Sequence, residues 1–194
     1  MTSREKILGE VLQNQPASLP LPDIARFRGK EQEVVQRYQA VFESIGGTVY
    51  RVDDFAAIQA IIHERYDTEK RIATTLPELT EGFEWIVPNA DPHTYEDIEL
   101  AIIRGHFAVA ENGAVWLSDE VMGQRIIPYI CQHLAVVVRA DSIVPTLHEA
   151  YEIIGEGTYG FGGFIGGPSK TADIEQALVL GAHGPLSMAV FLLS

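Results

Sequence analysis

The sequence predicts an α/β fold with a mostly parallel sheet and one β-hairpin. Three observations carry this expectation. A strand, a helix and a strand follow one another between Thr48 and Leu76 at the spacing of a βαβ unit. The continuous apolar run Leu134 to Arg139 (LAVVVR) reads as a strand buried on both faces. Asn112-Gly113 stands between two apolar runs, the short-range signal of a hairpin. The chain has 194 residues. That length favours one domain, 1–194, and a chain of this size buries about 70% of its unfolded surface.

Taken in order, residues 3–14 carry Ile7, Leu8, Val11 and Leu12 at helical spacing. Pro16, Pro20 and Pro22 then impose an extended crossing segment, so that residues 1–30 form a helix and a proline-rich crossing. Residues 30–46 place Val34, Val35, Tyr38, Val41, Phe42 and Ile45 on one helical face, with Gly46-Gly47 as the stop. Thr48 to Val52 is a short strand. Asp53 or Asp54 caps a helix carrying Phe55, Ile58, Ile61 and Ile62. Arg71 to Leu76 is the next strand, Trp85 to Val87 a further one, and Tyr95 to Leu100 a short helical turn. The hairpin spans 105–118, and Gln124 to His133 reads as a short helix. After the strand at 134–139, Asp141 or Ser142 caps a helix running to about Ile154. A glycine-rich stretch, a capped element near Thr171 to Gln176, and strands around Leu178–Leu180 and Met188–Leu193 complete the chain.

Fourteen bases against 27 acids give a formal charge of −13. Nucleic acid and anionic membrane surfaces both draw on Lys and Arg, so neither is an expected partner. Cys131 is the single cysteine, which excludes an internal disulfide and a cysteine-rich metal site. The six histidines show no HxH or HExxH spacing, so no metal is expected. No apolar run reaches 18 residues and the start of the chain has no apolar signal core. A cytoplasmic location is the resulting expectation.

Several motifs invite a chemical reading. Gly155 to Gly160 matches GxGxxG, but helical sequence precedes it and more glycine follows, which is not the dinucleotide context. Gly163 to Thr171 (GFIGGPSKT) resembles a phosphate loop, yet Pro168 and Ser169 separate Gly167 from Lys170 and break the Walker pattern. No cofactor is therefore expected from a recognisable motif. A weaker reading survives for Gly166, Gly167, Ser169, Lys170 and Thr171. Ser169 or Thr171 is placed to cap the following turn, and its free N–H groups with Lys170, the sole lysine after Lys70, would attract an anion. The plain alternative is a capped turn with a solvated lysine. Asp173 and Glu175, two apart, would face different ways on a helix. His183 stands between Gly181 and Gly184 just after an apolar strand, placed to act as a general base or to serve structure alone. Glu111 either faces solvent or points into a crevice.

Together these residues carry a likeness. Gly167-Pro-Ser-Lys-Thr-Ala-Asp-Ile-Glu175, followed by Leu180-Gly-Ala-His-Gly-Pro185, resembles the signature of the lactate-utilisation (LUD) domain family, most closely its protein C type. The resemblance implies a three-layer α/β sandwich similar to ribose-phosphate isomerase and CoA-transferase folds. It implies an accessory role in oxidising L-lactate to pyruvate beside iron–sulfur partner proteins. The convergence of the isolated lysine, the glycine cluster and the glycine-flanked histidine adds the expectation that a small carboxylate or an organic cofactor binds in a crevice formed by Glu111, residues 166–175 and His183. A homo-oligomer is left open. The rival reading is a free-standing isomerase or CoA-transferase-like enzyme on a phosphorylated or thioester substrate, with Glu111, Asp173 or His183 as catalytic candidates. A third is a scaffold with purely structural loops. The family hairpin usually reads Ala-Glu-Thr-Gly-Thr; here Asn112 and Ala114 replace both hydroxyl residues. Those hydroxyls either bind ligand or only shape the turn, and Asn-Gly suffices for the second role.

Overall fold

The computed structural model describes residues 2–20, 22–29, 32–88, 90–171 and 179–194. In chain order its elements are α1 (Ser3–Gln13), α2 (Val34–Ser44), β1 (Thr48–Val52), α3 (Phe55–Arg65), β2 (Ile72–Thr74), β3 (Glu84–Trp85), β4 (Leu100–Arg104), β5 (Phe107–Val109), β6 (Ala114–Ser118), α4 (Asp119–Met122), α5 (Ile127–Ile130), β7 (His133–Arg139), β8 (Ile143–Val144), α6 (Leu147–Ile154), β9 (Gly162–Ile165), β10 (Lys170–Thr171), β11 (Val179–Leu180) and β12 (Ser187–Leu193).

Among the described residues, six strands form a fully parallel sheet in the order β1-β12-β7-β4-β2-β3. Its central strands are apolar at nearly every position because both faces are covered. Alternate side chains divide between two cores. Ala101, Ile103, Leu134, Val136, Val138, Met188, Val190 and Leu192 face one core with Tyr38 and Phe42 of α2. Leu100, Ile102, Ala135, Val137 and Phe191 face the other, under Ile58 and Ile62 of α3. A smaller sheet, β8-β5-β6-β9, lies on the α2 side, and its outer face packs Phe107, Val109 and Trp116 against Ala150 of α6. The expected mostly parallel α/β sheet flanked by helices is the fold observed.

Several element expectations need correction. Leu100–Arg104 is a central strand, whereas the helical turn expected at 95–100 is a 3₁₀ turn at Pro92–Tyr95. The helix expected from 141 to 154 begins only at Leu147; Thr146 caps it through a capping box with Glu149, and Ile143–Val144 is strand instead. The helix expected over 124–133 is reduced to the single four-residue turn α5, and a separate four-residue turn, α4, precedes it. The glycine-rich stretch contributes a strand, β9, because its backbone pairs with β6 from Val115↔Ile165 to Ser118↔Gly162. Of the strand expected near 178–180, Val179–Leu180 are described; among the described residues they pair with Lys170–Thr171 and with no strand of the main sheet. Helix α2 begins at Val34, after Glu33 in left-handed geometry (φ 62°).

Candidate functional site

The two halves of the signature meet in space. Strands β10 and β11 pair Lys170 with Leu180 and Thr171 with Val179. Ser169 N–H donates to Pro185 O (2.9 Å), and Gly181 N–H donates to Ser169 O (3.1 Å). Ser169, Lys170 and Thr171 are therefore held in this ladder, with Lys170 and Thr171 in extended strand. The expected capped element beyond them, with Asp173 and Glu175, lies outside the described residues. Gly167 takes φ +78°, and a side-chain carbon there would sit 3.2 Å from Ile45 O, so glycine suits both the dihedral and the space.

Lys170 extends from this ladder to the end of α2, where its ammonium donates to Ile45 O at 2.5 Å. A cation at a helix C-terminus satisfies an orphan carbonyl and complements the helix dipole. One carbonyl leaves two ammonium donors, and Lys170 has no carboxylate partner among the described residues. Gly166 borders the same place, 3.7 Å from Ala114 Cα when given a side-chain carbon. His183 is exposed and precedes β12. It thus stands at the amino end of the central sheet, and not at the carboxyl-end crevice that its position after an apolar strand suggests.

The hairpin reaches this region through Gly113 and Ala114, but Glu111 turns elsewhere. Its Oε2 accepts from Leu147 N–H at 2.9 Å, holding the first turn of α6. The turn itself is a four-residue loop, Ala110 to Gly113, closed by Gly113 N–H donating to Val109 O. Asn112 Oδ1 accepts from Ala114 N–H at 3.1 Å, so asparagine shapes the turn from within. Gly113 has φ +73°, and a side-chain carbon would lie 3.2 Å from the Phe42 backbone, so the loop abuts α2 closely.

Cys131 is buried, and burial pushes its thiol up to about 12. A group protonated to that extent is no nucleophile at neutral pH. Among the described residues no group of three His, Cys, Asp or Glu side chains is gathered to hold a metal. No helix among them is long and apolar enough to cross a membrane.

A second concavity escaped the sequence reading. At the carboxyl end of β4 the chain turns at Gly105, and His106 Nε2 meets Ser118 Oγ at 2.7 Å. Both line a cleft of about 460 Å³ with Phe107, Trp116 and Tyr159. Beside it, Arg104 and Arg139 border a crevice of about 180 Å³, each paired with a carboxylate, Glu78 and Asp141. The carboxyl ends of parallel strands are the usual ligand side of such sheets. The signal available beforehand was His106 leading the hairpin, but the partnership with Ser118 depends on strand pairing.

Known proteins resemble the chain as follows. The family model described as LUD domain matches residues 92–193. Lactate utilization protein C of Bacillus pumilus is 33% identical over 125 residues, 58% of this chain and 52% of that protein. The protein of the same name from Bacillus subtilis is 30% identical over 141 residues, 68% of this chain and 58% of that one. The chain thus spans somewhat more than half the length of these relatives. A crystal structure of a DUF162 family protein from Deinococcus radiodurans superposes with a TM-score of 0.65 at 19% identity, covering 85% of this chain and 99% of that one, which supports the fold. With the family model covering over half its length, and the signature loops locked together as described, the chain belongs to the LUD domain family.

Proposed function

We propose that the chain acts in lactate utilisation as an accessory component that holds a small carboxylate at the paired loops 166–171 and 181–185. The observation that carries this reading is Lys170, fixed by Ile45 O on the rim of two hydrogen-bonded loops and left without a described carboxylate partner. In a chain of net charge −13, such an ammonium is a local attractor for a small anion. The names of the curated relatives support the pathway. Oxidation of lactate itself would fall to iron–sulfur partner proteins, since one buried cysteine cannot supply a four-cysteine cluster.

Isothermal titration of the protein with L-lactate, pyruvate and acetyl-CoA tests the reading. Saturable binding of lactate or pyruvate is expected, weakened about tenfold in Lys170→Ala. The exposed His183→Ala serves as a second variant should Lys170→Ala disturb the end of α2. Absence of binding by all three compounds overturns the ligand reading. Binding of acetyl-CoA alone, with turnover of its thioester, would point to the transferase type instead. A strain lacking the gene should grow poorly on L-lactate, and normal growth there would remove the pathway assignment.

A further inference from the structure

The cleft beside His106 lies at the carboxyl end of β4, away from the signature loops at the amino ends of β1 and β12. Its volume of about 460 Å³ lies within the range of small-molecule sites, about 300–1,000 Å³. Phe107, Trp116 and Tyr159 give it a partly aromatic lining, joined by Ile153, Ile154 and Thr158. Trp116 and Tyr159 meet edge to face at 5.5 Å between ring centres, with Phe107 beside Trp116 on the adjacent strand. Ser118 precedes the turn α4, where a serine commonly caps, yet its hydroxyl makes no cap and bonds His106 instead. The pair therefore presents polar atoms to a space lined in part by rings and in part by Ile153 and Ile154.

The charge in the cleft is one-sided. No lysine or arginine lines it, and burial draws His106 toward its neutral form. Glu120 at the rim has no ion-pair partner among the described residues, because Arg125 is taken by Asp119 at 2.9 Å. In the lining an anion would meet this carboxylate and no lysine or arginine, while a neutral or cationic ring meets aromatic side chains and hydrogen-bonding atoms. A second pair of the same length, His133 with Ser187 (2.7 Å), shows that a Ser–His bond alone makes no site. That pair is a cross-strand contact in register between β7 and β12. His133 also meets a ring, Tyr66, at 5.7 Å; the cleft that His106 and Ser118 line distinguishes the first pair.

We propose that this cleft binds a planar nitrogen heterocycle carrying no negative charge, its ring against Trp116 and Tyr159 and its polar edge on the His106–Ser118 pair and Glu120. Its preference is opposite to that of the carboxylate loops, so the two sites fail or stand independently.

The chain has two tryptophans, Trp85 and Trp116, so in Trp85→Phe protein the emission reports the cleft. Titration with 1-methylnicotinamide (cationic) and adenosine (neutral) is expected to give saturable quenching with Kd below about 1 mM for at least one of them. Benzoate, planar but anionic, should bind about tenfold more weakly or not at all. Glu120→Gln should weaken 1-methylnicotinamide about threefold, and Ser118→Ala should weaken the bound ring about tenfold. Glu120 is exposed, so its variant remains informative if Ser118→Ala fails to fold. Linear, collisional quenching by both rings, equal affinity for benzoate, or unchanged affinity in both variants would each overturn the proposal.

Discussion

At the scale of single residues, the chain places a few polar groups where their surroundings decide their role. Tyr38 is fully buried, and its hydroxyl has no hydrogen-bond partner among the described residues. Burial raises its pKa, so the group stays a neutral phenol. A buried hydroxyl without a partner carries its desolvation cost uncompensated. Tyr38→Phe is therefore expected to leave stability unchanged or raise it by about 1 kcal/mol, read as the urea midpoint. A loss of more than about 1 kcal/mol would show that the hydroxyl is satisfied in solution. Asn112 shows the same dependence on surroundings: its carbonyl does locally, at Ala114 N–H, what a hydroxyl acceptor could have done.

At the scale of elements, the edge of the parallel sheet is held by charge more than by length. Strand β3 is two residues long and exposed, and Arg71 ties it down. Its guanidinium donates to Glu84 (2.6 Å for Nη2 to Oε1) and to Asp97 and Thr94 O, and lies over the Tyr95 ring. The hydrogen bonds from Arg71 hold the Glu84 and Asp97 carboxyls below their ordinary values. Groups with depressed folded pKa values stabilise above the unfolded value, about 4, and lose that contribution as pH falls through the folded value. Arg71→Met should thus be less stable than wild type at pH 7, and the gap between their urea midpoints should narrow below about pH 4. A gap independent of pH would show that Arg71 acts through packing alone. The elements also differ in how far their sequence announced them. The cap of α3 was legible as Asp53 or Asp54, and the structure selects Asp54, whose Oδ1 accepts from Ala57 N–H. The Thr146-x-x-Glu149 capping box was equally present in the chain, and the structure shows it marks the start of α6. Strand β9 had no local signal, since glycine disfavours strands and only its pairing with β6 makes one.

At the scale of the whole molecule, the parallel sheet separates two cores and each central strand serves both. Phe191 is fully buried, stacks on Tyr50 at 5.2 Å, and belongs to the α3 core, while its neighbours Val190 and Leu192 belong to the other. Phe191→Ala should cost about 3–5 kcal/mol, a large share of the roughly 5–15 kcal/mol typical of a domain, and appear as one cooperative loss in thermal unfolding. A loss below about 2 kcal/mol would mean the two cores unfold separately or the site collapses to fill the void. The crossing segment after α1 joins this body through Phe27, stacked on His148 at 5.2 Å, and Arg28, paired with Glu152.

By itself the sequence determined what short-range periodicity and residue chemistry can carry: the α/β class, β1, β7 and β12 to within a residue or two, the start of α3, and the two signature motifs of the family. Tertiary structure decided what depends on residues far apart in the chain. It set the antiparallel pairing of Lys170–Thr171 with Val179–Leu180, the contact of Lys170 with Ile45, the engagement of Glu111 with Leu147 and the meeting of His106 with Ser118. The physical reason is that a strand's partner and a side chain's neighbour are chosen by packing across the sheet, where one paired strand can override a glycine-rich composition and one carbonyl can claim an otherwise free lysine.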